Sequence, residues 1–343
     1  MRDWKGYKRG VNLGGWLSQC KHTYEHYDSF IKESDIKTIS EWGLDHVRVP
    51  VDYNLIQDDA GNYKQKGYEY IDKAIEWCGK YGLNMILDVH KTYGFSFDSH
   101  DGESGFFDNE AYQERFIRMW EIFAEKYGNI GERVAFELLN EVTDQGYIKT
   151  WNAIIKRTIE RIRRKAPTVK ILVGSYWNNH VFAVKDLDPP YDENVVYNFH
   201  CYEPLIFTHQ GATWIDVMPH DLRLPFKMTY KQYKEACAPI SEYWVRDFFV
   251  PGSEEDMIDS TYFEKQFKSA IDAAEKNNAP LYCGEYGVIE LATNEDTIEW
   301  YKTINEVFKK YDIGRSAWSY KRMDFGLSDS RLDSVRDELL KYL

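Results

Sequence analysis

Two glutamates, each near the end of a short apolar run, are the residues of this sequence best suited to chemistry. Glu141 ends the run FELLNE, and Glu285 lies within the run LYCGEYG. Two facing carboxyl groups can hydrolyse an acetal, because one protonates the leaving oxygen while the other, ionised, attacks the anomeric carbon. A lone glutamate after a strand is more often a solvated or capping carboxylate, so the pair needs support from its neighbours.

Polar and aromatic side chains at the ends of other apolar runs supply that support. Arg48 ends one of these runs, and an arginine stabilises the charged form of a nearby carboxylate. Asn140 directly precedes Glu141 and suits a hydrogen bond to a sugar 2-hydroxyl, while Trp318 suits a platform under a sugar ring. This combination of residue types is hard to assign to packing. Further candidates at the ends of runs are Asn12, Trp16, Asp88, His90, His200 and Tyr202.

Eight short β-rich runs alternate with amphipathic stretches, and this alternation predicts the fold. Because each strand is followed by a helical pattern and none by G-x-G-x-x-G, we expect a closed (β/α)8 TIM barrel rather than an open doubly wound sheet. Barrel enzymes build their sites from the carboxyl ends of strands, where the candidates lie. The predicted strands are 9–13, 46–49, 84–89, 134–139, 170–173, 195–200, 281–284 and 316–319. The predicted helices are 33–42, 67–81, 109–127, 148–165, a faint one near 179–187, 262–277, 296–311 and 330–343.

One connection, residues 204–261 after the sixth strand, is too long for an ordinary loop. Its aromatic residues and the helical spacing around 230–248 predict an inserted helical subdomain beside the active-site cleft, within a single catalytic domain of residues 1–343. We expect most of these aromatics to form the subdomain's own core, and Trp214 and Phe207 to line the cleft. The aromatics concerned are Phe207, Trp214, Phe226, Tyr230, Tyr233, Tyr243, Trp244, Phe248 and Phe249.

Composition excludes several classes of protein. The formal net charge is −13, so the chain lacks the concentrated basic surface that nucleic acids require. No apolar run approaches the ~20 residues that span a bilayer, so we expect no membrane partner. The N-terminus lacks an apolar leader, and the five cysteines include no C-x-x-C pair. We therefore expect a monomeric cytoplasmic protein with reduced thiols, or a secreted one if a leader has been removed.

Seven motifs follow one another along nearly the whole chain: RGVNLGGW at 9–16, HVRVP at 46–50, LDVH at 87–90, FELLNE at 136–141, HCY at 200–202, GEYG at 284–287 and AWSYK at 317–321. In this combination the sequence resembles glycoside hydrolase family 5 of clan A, and within it the clostridial endoglucanase C-like β-glucanases. The resemblance implies a retaining hydrolase of β-glucosidic bonds in β-glucan chains, with Glu141 as acid/base and Glu285 as nucleophile. It implies no cofactor and no metal. The substrate-binding residues that it implies are Arg48, His90, Asn140, His200, Tyr202 and Trp318.

Several alternatives remain open at this point. Lys91 occupies a position where many related glucanases have a second histidine, which leaves linkage and sugar preference undetermined. An endo-β-1,4-glucanase or mixed-linkage β-glucanase is expected, with an exo-β-1,3-glucanase, a β-glucosidase or a β-mannanase as alternatives. A carbohydrate-binding protein on a barrel scaffold would need neither glutamate. A metal-dependent barrel enzyme would need a ligand cluster, and the spacing of Cys20, His22 and His26 is only weakly suggestive of one.

Overall fold

Eight parallel strands form a closed barrel in chain order, with β8 pairing back to β1. The structure is a computed structural model, and it describes residues 1–242 and 253–343. All eight predicted strands are present, with ends that differ by a few residues, so the predicted TIM barrel is confirmed. The strands are β1 Arg9–Asn12, β2 His46–Asp52, β3 Asn84–Lys91, β4 Val134–Glu137, β5 Ile171–Val173, β6 Val195–Cys201, β7 Leu281–Tyr286 and β8 Gly314–Ala317.

Among the described residues, six long amphipathic helices surround the barrel, and each buries one apolar side against the strands. They are Glu33–Glu41, Gln65–Lys80, Glu110–Tyr127, Ile148–Arg163, Ser260–Lys276 and Asn294–Lys310. The shorter α-helices are Tyr24–Phe30, Tyr53–Ile56, Leu205–Thr208, Tyr230–Cys237 and Arg336–Leu339, while Tyr176–Asn179 forms a turn with left-handed residues. The 3₁₀ segments are Ser99–Asp101, Phe106–Asp108, Gly128–Ile130, Gln145–Tyr147, Val181–Asp186, Ser330–Leu332 and Leu340–Tyr342. No helix in the described ranges has the length and apolar character needed to cross a bilayer.

Two of the predicted helices take a different form. The faint fifth helix is the 3₁₀ segment Val181–Asp186, whose shorter repeat explains its weak periodicity. The predicted continuous helix 330–343 is wrong, because this stretch is broken into three short turns. The guanidinium of Arg9 donates to the carbonyls of Leu340 and Leu343, and Arg315 also donates to Leu343. These contacts hold the last residues of the chain against the barrel.

The described part of residues 204–261 packs onto the barrel helices. The described part contains the helices Leu205–Thr208 and Tyr230–Cys237, joined by turns. Tyr230 lies 6.0 Å from Tyr262 of the following barrel helix, and the buried aromatics of this stretch belong to the same hydrophobic cluster as that helix. The predicted helix 230–248 is present as far as Cys237. Tyr243, Trp244, Phe248 and Phe249 lie outside the described residues, and the inserted subdomain stays a prediction.

Side chains fill the barrel interior in layers, because alternate residues of each strand point inward. Trp4 and Tyr7 close the amino-terminal end, where their rings stack at 4.2 Å beside an apolar layer. The next layer towards the carboxyl ends is polar, and the candidate site lies above it. Strand β3 contributes Ile86, Asp88 and His90 to the successive layers, and β6 contributes Val196, Asn198 and His200.

Candidate active site

Glu141 and Glu285 face each other at the carboxyl end of the barrel. A carboxylate oxygen of Glu141, a carboxylate oxygen of Glu285 and a ring nitrogen of His200 all lie within 4.8 Å of one another. Retaining glycosidases place their two carboxyl groups ~5–5.5 Å apart, whereas inverting enzymes need a wider gap for a water molecule. The arrangement therefore suits direct attack by one carboxylate while the other transfers a proton.

An irregularity in β7 turns Glu285 towards Glu141. The pairing of β7 with β8 shifts register between Cys283 and Tyr286, and such a bulge changes the direction of a side chain. Gly284 is required at this bulge, because a Cβ there would lie 2.8 Å from Asn198 Oδ1 and 3.0 Å from His200 Nε2. The bulge and the glycine together bring the strand close enough for the two carboxyl groups to meet.

The Glu285 carboxylate receives a hydrogen bond on each oxygen. Arg48 Nη1 donates to Oε1 at 2.7 Å, and the Tyr202 hydroxyl donates to Oε2 at 2.9 Å. Burial and the charge of Glu285 raise the pKa of Tyr202 well above its usual value, so its hydroxyl remains a donor. These contacts favour the ionised form of Glu285, as a nucleophile requires.

Arg48 is the centre of the buried polar layer beneath the pair. Its guanidinium is fully buried and donates to both oxygens of Glu137 at 2.7 and 2.8 Å, and it lies 3.1 Å from Asp88 Oδ2. Burial opposes its charge, but Asp88, Glu137 and Glu285 outweigh that effect and raise the pKa of Arg48. It also donates to Asn12 Oδ1 and to Asn140 Oδ1, both at 2.9 Å.

Glu141 has the opposite environment. Burial raises the pKa of Glu141 to about 6, although a hydrogen bond from Asn178 and the charges of His90 and Arg48 oppose the shift. His200 Nδ1 lies 2.7 Å from Oε1, and Asn178 Nδ2 donates to Oε2 at 2.8 Å. Burial lowers the pKa of His200 to about 4, so this histidine is neutral near pH 7. Glu141 therefore keeps a proton closer to neutral pH than an ordinary glutamate.

His90 and Trp318 form an aromatic wall beside the pair. Their rings are nearly parallel, 5.9 Å apart with an interplanar angle of 7°. His90 Nδ1 bonds Asp88 Oδ2 at 2.7 Å, and its Nε2 lies 3.4 Å from Asn140 Nδ2. The structure thus connects all eight residues predicted for the site, which are Glu141, Glu285, Arg48, His90, Asn140, His200, Tyr202 and Trp318.

Two of the sequence-based candidates do not reach the site. Trp16 is fully buried, packs against Trp77 and donates to the carbonyl of Tyr27. Phe207 is also fully buried and packs against Phe226, so the expectation that it lines the cleft is wrong. Trp16 lies in the turn after β1 and Phe207 in the helix Leu205–Thr208, and both side chains point into the hydrophobic core. Asn12, the other candidate near the first strand, accepts a hydrogen bond from Arg48 and donates to the carbonyls of Gly284, Ser316 and Ala317.

Trp214 fits its prediction better, since 48% of its surface is exposed. It belongs to an aromatic row that starts at the site: Tyr202 contacts His209 at 5.0 Å, and His209 lies 6.2 Å from Trp214. Phe325 packs against all three rings. The row connects an exposed indole, through His209 and Phe325, to the tyrosine that contacts the Glu285 carboxylate.

The Cys20, His22 and His26 group does not converge on a common point. Cys20 Sγ donates to the carbonyl of Trp16, and His26 Nε2 bonds the carbonyl of Gly15. His22 lies between the Tyr27 hydroxyl at 2.7 Å and Asp52 Oδ2 at 3.1 Å. Within the described part of the chain, the only cluster spaced to ligate a metal is Glu141, His200 and Glu285. Its donor atoms already bond one another, Arg48, Tyr202 and Asn178.

Sequence reasoning missed two residues that contact the site. Glu137 is the last residue of β4, and the only signal for it is an acidic residue at an inward-facing position. Asn178 lies in the turn after β5, where the pair of asparagines in YWNNH indicates left-handed backbone but no particular contact. Lys91, which replaces the second histidine, forms an ion pair with Asp101 at 3.1 Å.

Comparison with known proteins agrees with this geometry. A family model described as cellulase (glycosyl hydrolase family 5) matches residues 6–324. The chain is 49% identical over 312 residues to cellodextrinase A of Ruminococcus flavefaciens, a match that covers 91% of this chain and 84% of the relative. It is 37% identical over 341 residues to endoglucanase C of Acetivibrio thermocellus, with 98% of both chains covered.

The fold also matches solved structures. The cellulose synthase subunit Z of Clostridioides difficile aligns with a TM-score of 0.77 and 24% identity, over 98% of this chain and 99% of that one. At this level of identity the match concerns the fold, and it agrees with the closed eight-stranded barrel described above.

Proposed function

The chain belongs to glycosyl hydrolase family 5, the cellulase family, and we propose that it hydrolyses β-1,4-glucosidic bonds of cello-oligosaccharides with retention of configuration. Glu285 is the nucleophile and Glu141 the acid/base. The observation that carries the proposal is the close pair of carboxyl groups in opposite environments: Arg48 and Tyr202 favour the charged form of one, and burial favours the neutral form of the other.

The reaction proceeds in two displacements. In the first, a Glu285 oxygen bonds the anomeric carbon while the glycosidic carbon–oxygen bond breaks, and Glu141 gives its proton to the departing oxygen. In the second, the ionised Glu141 takes a proton from water, and the resulting hydroxide displaces Glu285 from the same carbon. The sugar ring lies against Trp318, and Asn140 and His90 lie within reach of its hydroxyl groups.

Relatives support the choice of substrate. Both close relatives bear names that refer to cellulose fragments or glucans, cellodextrinase A and endoglucanase C. The first shares 49% of its aligned residues with this chain. A soluble β-1,4-linked glucose chain is therefore the substrate class that we expect the cleft to accept best.

Substrate choice is tested by product analysis on a matched panel of oligosaccharides. Cellotetraose and cellohexaose should be cleaved with kcat/KM at least about tenfold above laminarihexaose, mannohexaose and xylohexaose. A mixed-linkage β-1,3-1,4-glucan should be cleaved only at its β-1,4 bonds. Faster cleavage of laminari- or manno-oligosaccharides would overturn the β-1,4-glucan assignment.

The catalytic roles are tested separately. Proton NMR during the first minutes should detect the β-anomer as the first product, and an initial α-anomer would exclude the two-step mechanism. Glu141→Ala should spare the first step on a dinitrophenyl cellobioside, whose leaving group needs little protonation, but should slow cellotetraose by about 10²–10⁴-fold. Equal losses on both substrates would show that Glu141 is not the acid.

A further inference from the structure

Three consecutive residues after β5 have left-handed backbone conformations, and none of them is glycine. The φ angles are 50° at Trp177, 57° at Asn178 and 56° at Asn179. This region is unfavourable for residues with a Cβ, asparagine being the best tolerated. A run of three such residues persists only where the surrounding structure fixes it, and such strain is commonly associated with functional sites.

The surroundings of this left-handed turn, residues 177–179, do fix it. The backbone N–H groups of Asn178 and Trp177 donate to the carbonyls of Val142 and Thr143, which directly follow Glu141. The side chain of Asn179 lies over Gly174, where any Cβ would come within 2.2 Å of its Oδ1. The turn is therefore held against the segment that carries Glu141.

The turn directs successive side chains at the acid/base side of the site. Asn178 Nδ2 donates to Glu141 Oε2 at 2.8 Å, and Asn179 Nδ2 lies 3.5 Å from His200 Nε2. His200 in turn bonds the other oxygen of Glu141, Oε1, at 2.7 Å. Each oxygen of the carboxyl group thus has its own partner, and rotation of the group about its last bond would break both contacts.

We propose that Asn178 is a positioning residue for Glu141, and that the left-handed turn exists to hold its amide against Oε2. The proposal rests on the assignment of Glu141 as acid/base above. With Oε2 held by Asn178 and Oε1 by His200, the lone pair that carries the acidic proton keeps one direction towards the leaving oxygen. After proton transfer, the same amide stabilises the carboxylate that must act as base in the second step.

Loss of this hydrogen bond also has a predictable electrostatic sign. A donor to a carboxylate stabilises its charged form, and the Asn178 bond lowers the pKa of Glu141 against the larger effect of burial. Removal of the amide should therefore raise the pKa of Glu141 and move the alkaline limb of activity to higher pH. The other charged or titratable groups facing Glu141 are Arg48 on β2, Asp88 and His90 on β3, His200 and Tyr202 from β6, and Glu285 on β7.

The test uses Asn178→Gly, because glycine adopts the left-handed conformation freely and only the amide is lost. The matched control is Asn278→Gly, at an exposed left-handed asparagine with φ 47° before β7, at the opposite end of the barrel. Asn178→Gly should lower kcat/KM on cellotetraose on the order of tenfold, a part of the 10²–10⁴ that a general acid supplies. On the dinitrophenyl cellobioside the first step should change little, and the alkaline limb should move upward. Asn278→Gly should change neither.

A second variant provides a check if Asn178→Gly folds poorly. Asn178→Asp keeps the shape and tolerates the same backbone, but places a carboxylate beside Glu141, so the alkaline limb should move further upward. The proposal would be overturned if a folded variant lost equal activity on cellotetraose and on the dinitrophenyl cellobioside. It would also be overturned if the alkaline limb of the pH profile stayed at the same pH in a folded variant. Glu141→Ala separates the two hypotheses. If Glu141→Ala loses as much activity on the dinitrophenyl cellobioside as on cellotetraose, the assignment of Glu141 as the acid fails. If only Asn178→Gly shows such equal losses, the positioning role of Asn178 fails alone.

Discussion

At the scale of single residues, two chemically identical glutamates acquire different properties from their neighbours. Glu285 is bonded by a guanidinium and a phenol, both of which favour a negative charge. Glu141 is bonded by an amide and a neutral imidazole, and burial dominates its ionisation. The difference lies in the partners, since both residues are largely buried.

Glu285→Gln should abolish turnover while leaving substrate binding nearly intact. The glutamine keeps an oxygen that can accept from Arg48, but an amide cannot form the glycosyl ester, so kcat should fall by about four orders of magnitude. Calorimetry with cellotetraose should give a Kd within a few-fold of the unchanged enzyme. Turnover at the per cent level in this variant would show that another group is the nucleophile.

The pH dependence of kcat/KM should reflect Glu141. Because the pKa of this group is raised to about 6, the acid is protonated below that pH and is lost above it. Activity on cello-oligosaccharides should therefore fall about tenfold per pH unit on the alkaline side. The first step on a dinitrophenyl cellobioside should not show this alkaline decrease in rate. If both substrates showed the same decrease, it would have to come from the titration of a group other than Glu141.

That the eight predicted residues lie together could be expected from the sequence, but their contacts could not. They lie at or just after strand ends, which is where a barrel collects functional side chains. Glu137 and Asn178 were not predicted because each contacts the others through a residue from another part of the chain, Arg48 for the one and Glu141 for the other. A sequence gives the type of a residue but not which neighbour from another strand will contact it.

At the scale of elements, hydrophobic periodicity predicted the strands and the long helices, but it did not predict where a helical pattern is interrupted. The segment after residue 330 has a helical pattern, yet it forms two 3₁₀ segments and one short α-helix, and Arg9 and Arg315 bind the carbonyls at its end. The 3₁₀ segment after β5 has a shorter repeat than an α-helix, so its helical pattern in the sequence is only faint. In the long connection, aromatic content predicted burial correctly but did not distinguish Phe207, which is inside, from Trp214, which is exposed.

The exposed position of Trp214, in contrast to the buried Phe207, gives a prediction for the connection after β6. Trp214→Ala should lower kcat/KM on cellohexaose by about tenfold and affect an aryl cellobioside little, because a stacking contact beyond the reacting sugar is lost. The control is Tyr191→Ala, an aromatic of similar exposure before β6, at the other end of the barrel. Equal losses on long and short substrates would assign Trp214 to stability.

Phe207→Ala should show the complementary behaviour. Removal of a fully buried ring that packs against Phe226 should destabilise the fold by about 3–5 kcal/mol. Urea denaturation measures this change directly. The ratio of activities on long and short oligosaccharides should stay the same below the denaturation midpoint, and a selective loss on long substrates would contradict the buried position.

At the scale of the whole molecule, stability and chemistry occupy opposite ends of one barrel. Trp4 and Tyr7 seal the amino-terminal end over an apolar layer that includes Tyr282, while the carboxyl end carries the charged groups. The polar layer around Arg48 separates the two. The barrel architecture was predictable from the order of the elements, but this division into layers depends on which residues of each strand face inward.

The substitution Trp4→Ala tests whether the amino-terminal end of the barrel contributes to stability without affecting catalysis at the carboxyl end. Loss of an almost fully buried indole should lower the free energy of unfolding by about 3–5 kcal/mol, seen as a lower Tm. Its kcat/KM at 25 °C should stay within about twofold of the unchanged enzyme, because the site lies beyond the polar layer. If the fully folded variant lost much of its kcat/KM, the packing at the amino-terminal end would have to influence the active site at the carboxyl end.

Because Arg48 is shared by three carboxylates, we also expect the cleft to bind acidic sugars poorly. One guanidinium faces Asp88, Glu137 and Glu285, so it cannot neutralise all three when they are ionised. A uronic acid ring in the reacting position would bring a fourth carboxylate into this buried region without a cation to receive it. We therefore expect poor cleavage of the glycosidic bond of a glucuronate or galacturonate ring, even where that ring would fit by shape.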